Sequence, residues 1–215
     1  MTNLQKRILT SFIILPLSIF FIIKGGYYLL FFLLSVFFIA NYELFSVFSK
    51  KITILFLDLI LILSLLSIYY LVAQKNAVSF YLLLWVIILC ICSDVGGYSF
   101  GKIFKWKKLT KISPNKTLSG LLGSFIFSLL SVFVADLIFQ DLIVNFLDKK
   151  FFFLAIIFSL VAQGGDLTIS YLKRVEKIKD TGNILPGHGG IFDRIDGLMF
   201  AVILVFVLIN LNIIP

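Results

Sequence analysis

Apolar residues in this chain come in long runs separated by short polar stretches. Seven runs approach the roughly 20 apolar residues that a helix needs to cross the hydrocarbon of a bilayer: 9–23, 27–46, 53–73, 78–98, 119–139, 151–172 and 196–214. The pattern predicts an all-α integral membrane protein, a polytopic bundle of about seven transmembrane helices forming one membrane domain over 1–215. Lys6 and Arg7 before the first, shorter run resemble the start of a secretory signal. No small-x-small cleavage site follows, and Lys24, Gly25 and Gly26 lead straight into the next run, so the expectation is a retained anchor.

Composition supports this solvent assignment. The chain is 60% hydrophobic and 14% charged, with a mean hydropathy of +1.10, whereas soluble domains are typically about 45–50% apolar and about 25% charged. A net charge of +8 raises the question of nucleic acid, but the placement of the charges answers it. With a cytoplasmic N-terminus and alternating spans, every basic residue except Lys24, Lys75, Lys149 and Lys150 falls on the cytoplasmic side. This is the positive-inside pattern, and no nucleic-acid partner is expected. Cys90 and Cys92 lie inside a run at a spacing that makes no metal or redox motif, and read as small packing residues.

Two cytoplasmic loops carry the polar mass, 99–118 and 173–195, and twelve of the fourteen glycines occur from Gly96 onward. Residues 1–76 therefore read as scaffold and 77–215 as the catalytic half. A carboxylate in a membrane helix costs about 2.5–3.5 kcal/mol on insertion scales, so each one asks for a reason. Asp58 and Asp136 stand alone near span ends and read as structural, while Glu43, in ANYELF, is balanced between structure and function. Asp94 in DVGGYSFGK and Asp166 in QGGDLTISYLKR differ, because glycines beside them let a backbone or ligand approach. Asp166, Ser170 and Lys173 follow i, i+4, i+7 and share one helical face.

Arginine is scarce in this chain, yet Arg174 and Arg194 both fall in KRVEKIKDTGNILPGHGGIFDRID. Their planar forks match phosphate oxygens. Glycines of PGHGG could turn backbone N–H groups toward an anion. His188 either orders that loop or donates to a phosphate. Asp193 and Asp196, at i and i+3, could converge with Asp166 on one hard cation, and carboxylates beside a phosphate cradle suit Mg²⁺. The lysine-rich stretch GKIFKWKKLTKISPNKT is either a positive-inside anchor for anionic lipid or a second wall of a polyphosphate site. It is not a P-loop, because the GxxxxGK[ST] spacing is missing.

These residues resemble the signature of the phosphatidate cytidylyltransferases (CDP-diacylglycerol synthases), which runs S-x-x-K-R, K-D, H-G-G and D-R-x-D. The matching positions are Ser170, Lys173, Arg174, Lys179, Asp180, His188, Gly189, Gly190, Asp193, Arg194 and Asp196. SDVGGYSFGKIF, KISPNKTLSGLLG and QGGDLTIS resemble further segments of the family, and QKRILTSFIILP and ANYELF are weaker echoes. Ser119 and Ile169 stand where the family would have glutamates, and Leu118 where it would have tryptophan. The chain is also short for the family, as though spans before residue 80 were missing.

The resemblance implies condensation of CTP with phosphatidate to CDP-diacylglycerol and pyrophosphate, with Mg²⁺ as cofactor. It implies Asp166, Asp193 and Asp196 as metal ligands and Lys173, Arg174 and Arg194 as phosphate clamps. Lys179, His188, Gly189 and Gly190 would bind triphosphate or order the site, with Ser170, Asp94 and Lys116 lining it. It further implies a bacterial inner membrane location, a site facing the cytoplasm, and a possible homodimer. Two alternatives remain at this level: a CTP-dependent transferase for another lipid phosphate, and an ion-coupled transporter. The transporter should show paired features in two halves, whereas the polar chemistry here is confined to one half and one side.

Overall fold

The computed structural model describes residues 3–74, 76–110, 113, 116–139, 144–182, 184 and 189–214, without the side chains of 3–11, 13 and 15. Among them are seven α-helices: α1 (Asn3–Lys24), α2 (Gly26–Val47), α3 (Lys51–Ala73), α4 (Ala77–Phe104), α5 (Leu118–Ile138), α6 (Lys149–Val175) and α7 (Phe192–Asn210). The helices outrun the apolar runs where it matters. α4 continues past 98 to Phe104, and α7 begins four residues before 196, which puts Asp193 in its first turn. Hydropathy reads the hydrocarbon layer, whereas backbone hydrogen bonding continues into the polar layer beyond it.

Five helices, α2 to α6, are long and apolar enough to cross a membrane by length and composition. The seven-span expectation is therefore supported at the level of a helical membrane protein with five such spans. In α7 the charges of Asp193, Arg194 and Asp196 fill the first turn and dilute the apolar stretch.

Polar groups inside the bundle are small and mostly satisfied, as a solvent without hydrogen-bonding capacity demands. Ser93 Oγ and Ser159 Oγ share a hydrogen bond of 2.9 Å, and Ser124 Oγ donates to the Ser93 carbonyl at 2.9 Å. The deep core is aromatic. The buried Trp85 ring packs against Phe146, Phe151 and Phe158, with centroids 5.4–5.7 Å away. On the outside, Phe31, Phe38, Phe45, Leu55, Leu59 and Leu66 stand exposed, the face that α2 and α3 would turn to lipid.

The closest helix pair is α4 with α5. Gly96 and Gly123 lie backbone to backbone, and a Cβ on Gly120 would stand 2.8 Å from the Gly97 carbonyl oxygen. Small residues let membrane helices approach to where dispersion and carbonyl contacts hold them. Even Gly96→Ala must push the pair apart, and overpacking of this kind typically costs about 1–3 kcal/mol. A lower thermal midpoint in detergent is the expected result, and an unchanged midpoint would contradict the packing. Along α6 and α7, Gly165 lies under the Phe200 ring, and a Cβ on Gly197 would meet the Ala162 carbonyl oxygen at 2.8 Å. These glycine contacts dock α4 closely on α5 and α6 closely on α7.

Candidate active site

The face read from the sequence on α6 is present. Ser170 Oγ donates to Asp166 Oδ1 at 3.3 Å, one turn apart. Asp166 Oδ2 is ion-paired with Lys116 Nζ. Lys116 lies just before α5, where backbone pairing holds its neighbours. Lys108 and Thr117 form an antiparallel bridge, and Leu109 N–H donates to the Lys116 carbonyl at 2.8 Å. Thr117 then caps α5 by accepting from Gly120 N–H at 3.0 Å. The lysine-rich loop thus brings Lys116 to Asp166 on α6.

The start of α7 closes on the end of α6. Lys173 Nζ meets Asp193 Oδ1 at 2.8 Å, with the two side chains only 9% and 5% exposed. The other oxygen of Asp193 accepts from Thr181 N–H at 2.8 Å and Gly190 N–H at 3.1 Å. The next two amides turn to a different carboxylate. Ile191 N–H donates to Glu43 Oε1 at 2.9 Å and Phe192 N–H to Glu43 Oε2 at 3.0 Å. Of the PGHGG glycines expected to turn amides toward an anion, Gly190 gives its N–H to the protein's own Asp193, and the two amides after it go to Glu43. Gly189, at φ 89°, makes the left-handed turn that precedes them.

Other expected site residues are placed as follows. Arg174 donates to the Ile178 carbonyl at 2.8 Å, closing the chain after α6. Lys179 and Arg194 are exposed, and His188 lies outside the described residues. Asp94, Asp166 and Asp196 are close enough to feel one another's charge, with Lys116, Arg194 and Lys173 among them. Among the described residues no three His, Cys, Asp or Glu side chains are gathered around a point that would hold a metal ion. Both oxygens of Asp193 serve protein donors, as do both oxygens of Asp166. Asp94, Asp166 and Asp196 are the carboxylates whose charges act on one another.

Two acids outside the expected site tie the first helices to it. Glu43 is one, 1% exposed at the end of α2. Glu176 is the other, accepting from Ser49 N–H at 3.4 Å and Lys50 N–H at 3.2 Å at the start of α3. The signal for Glu43 was present in the sequence, a carboxylate near the end of an apolar run. Its partners, being backbone amides about 150 residues away, leave no trace in residue type.

The sequence profile of the Cytidylyltransferase family matches residues 49–212. A phosphatidate cytidylyltransferase of Rickettsia felis is 34% identical over 212 residues, covering 95% of this chain and 91% of the relative. That of Rickettsia conorii is 32% identical, covering 96% and 91%. The chain belongs to the cytidylyltransferase family. A phosphatidate cytidylyltransferase of Helicobacter pylori (strain ATCC 700392 / 26695) is 42% identical over 122 residues, 55% of this chain. The chain matches only 43% of that relative's length.

Two of the chain's departures from the family pattern have local explanations. Ile169 is fully buried among Leu44, Leu57, Phe192 and Met199, where a carboxylate would lack a partner. Ser119 is buried at the start of α5, sharing a 2.9 Å hydrogen bond with Thr117 Oγ1 and accepting from Trp106 N–H at 3.4 Å.

Proposed function

We propose that this chain transfers the cytidylyl group of CTP to phosphatidate, giving CDP-diacylglycerol and pyrophosphate. The observation that carries the reading is the charge cluster at the ends of α4 to α7. Lys116, Lys173 and Arg194 are interleaved there with Asp94, Asp166 and Asp196, in a family whose similar members carry that activity in their names. A phosphate oxygen of phosphatidate attacks the α-phosphorus of CTP, the bond to the β-phosphate breaks, and pyrophosphate leaves. The nucleophile's second pKa is about 6, so it is largely dianionic at neutral pH and needs no strong base. The barrier lies in bringing two anions together, which fixed cations lower without reorganising.

Lys116 and Lys173 are held ready by their ion pairs with Asp166 and Asp193, so their ammoniums need not be ordered by the substrate. Arg194, exposed at the start of α7, offers a fork to phosphate oxygens. The donor chemistry at Asp166 and Asp196, with Asp94 beside them, suits Mg²⁺, which takes one or two carboxylates and fills its shell with phosphates and water. When bound, Mg²⁺ would neutralise charge on the triphosphate. The head group would enter from the cytoplasmic side with the acyl chains left in the bilayer, and the N-terminus would share that side.

Purified protein given labelled CTP, phosphatidate and Mg²⁺ is expected to form a CDP-lipid, and EDTA to stop it. Absence of product with any phospholipid acceptor would sink the reading. Persistence of product in EDTA would remove Mg²⁺ from it.

A further inference from the structure

The first turn of a helix leaves backbone N–H groups without partners, and a side chain just before the helix normally accepts from them. At α7 that position is Ile191, whose side chain cannot do so. The acceptor comes instead from α2. Glu43 takes Ile191 N–H and Phe192 N–H, one on each oxygen, and Thr181 Oγ1 lies 3.5 Å from Oε2. A carboxylate at a helix N-terminus is also favoured by the positive end of the helix dipole.

The surrounding turn is shaped to admit it. A Cβ on Gly182 would stand 2.8 Å from Glu43 Oε1, and one on Gly190 would stand 2.5 Å from Oε2. These glycines leave room for a specific carboxylate as well as allowing the chain to turn. The adjoining amide, Gly190 N–H, is bound by Asp193. Three successive amides are thus divided between Asp193 and Glu43, and the two acids fix one turn together. Glu43 lies before the residues matched by the family profile, which begin at 49.

We propose that Glu43 is a positioning residue for the transfer reaction. By holding the start of α7 it sets where Asp193 stands against Lys173 and where Asp196 stands against Asp166. The proposal rests on the activity proposed above. Glu43 touches none of the reacting atoms in this account, so its effect should appear in turnover rather than in lipid or nucleotide capture.

The test compares Glu43→Gln, Glu43→Asp and Glu176→Gln in purified protein, measuring kcat, KM, thermal midpoint and amide hydrogen exchange. Misplacing a reacting group by about 1 Å can cost on the order of 10²-fold. Glu43→Gln is therefore expected to lower kcat about 10- to 100-fold, with KM for CTP and phosphatidate little changed. Glu43→Asp should recover part of the loss, because it keeps both acceptor oxygens on a shorter arm. Exchange should quicken at Ile191 and Phe192 and also at Thr181 and Gly190, the two amides bound by Asp193. Glu176→Gln, which frees the start of α3 instead, should lower the midpoint and leave kcat unchanged.

Wild-type kcat per folded Glu43→Gln molecule would overturn the proposal, as would exchange confined to Ile191 and Phe192. Should Glu43→Gln fail to fold, the same two criteria apply to Glu43→Asp. A wild-type protein that makes no CDP-lipid would sink the reaction, and with it the role of Glu43 in turnover. The exchange pattern would still decide separately whether Glu43 holds the turn.

Discussion

Asp193→Asn is expected to lower CDP-lipid formation by about 10²–10³-fold while the protein still enters the membrane. The Lys173–Asp193 pair is almost wholly buried, and one Asp193 oxygen also gathers Thr181 N–H and Gly190 N–H. Removing one member of a buried ion pair typically costs about 3–5 kcal/mol, because the remaining charge loses both water and partner. Asparagine keeps the shape and one acceptor oxygen but turns an N–H₂ group toward Lys173 or toward the amides. The ammonium would then leave its place, and the first turn of α7 would lose its tie to α6. Kinetics with labelled CTP and a monodisperse elution profile in detergent measure the two parts separately. Unimpaired turnover in the variant would refute this role. Adding Mg²⁺ should not restore the rate, since the lost contacts are to Lys173 and two amides. Recovery at high Mg²⁺ would instead support Asp193 as a metal ligand.

Asp166→Asn should lose activity by about 10²–10³-fold, the usual scale for removing one charge-placing group from a polar reaction site. Its mechanism differs from that of Asp193. Asp166 holds Lys116 through one oxygen and accepts from Ser170 Oγ through the other, and its charge acts on Asp94 and Asp196. The substitution therefore releases Lys116 from the site and weakens the set of carboxylates suited to a hard cation. Mg²⁺ should protect wild-type protein against thermal unfolding and protect Asp166→Asn less. Equal protection of the two proteins would remove Asp166 from the proposed metal ligands, whatever the loss in turnover. Because Asp166 is partly accessible and Asp193 is not, Asp166→Asn should disturb the thermal midpoint less than Asp193→Asn does.

Much of the site was legible from residue type and spacing alone. Asp166, Ser170 and Lys173 had to share a face because helical geometry is local, and Ser170 does bond to Asp166. The partner of Lys173 was not legible. Asp193 is 20 residues away across a turn, and its distance to Lys173 depends on how α7 docks on α6. The same holds for Lys116, which lies before α5, and Asp166, which lies on α6. The reading of the PGHGG region shows the limit from the other direction. Glycine-rich turns do present amides to anions, but here the anions at Gly190, Ile191 and Phe192 are Asp193 and Glu43.

By itself the sequence determined the solvent, the helical class, the family and which residues carry charge beside the apolar runs. Those properties follow from apolar run length, from charge placement and from motif spacing, each of which is written along the chain. Only the tertiary structure decided which charges meet. It paired Lys116 with Asp166 and Lys173 with Asp193, and it carried Glu43 from α2 to the first turn of α7. The physical reason is that ion pairs and backbone hydrogen bonds act over a few ångströms, while the groups that form them lie 20 to about 150 residues apart in sequence. Such groups are brought together by glycine contacts such as Gly165 under Phe200 and Gly197 against Ala162, which set how closely the helices dock.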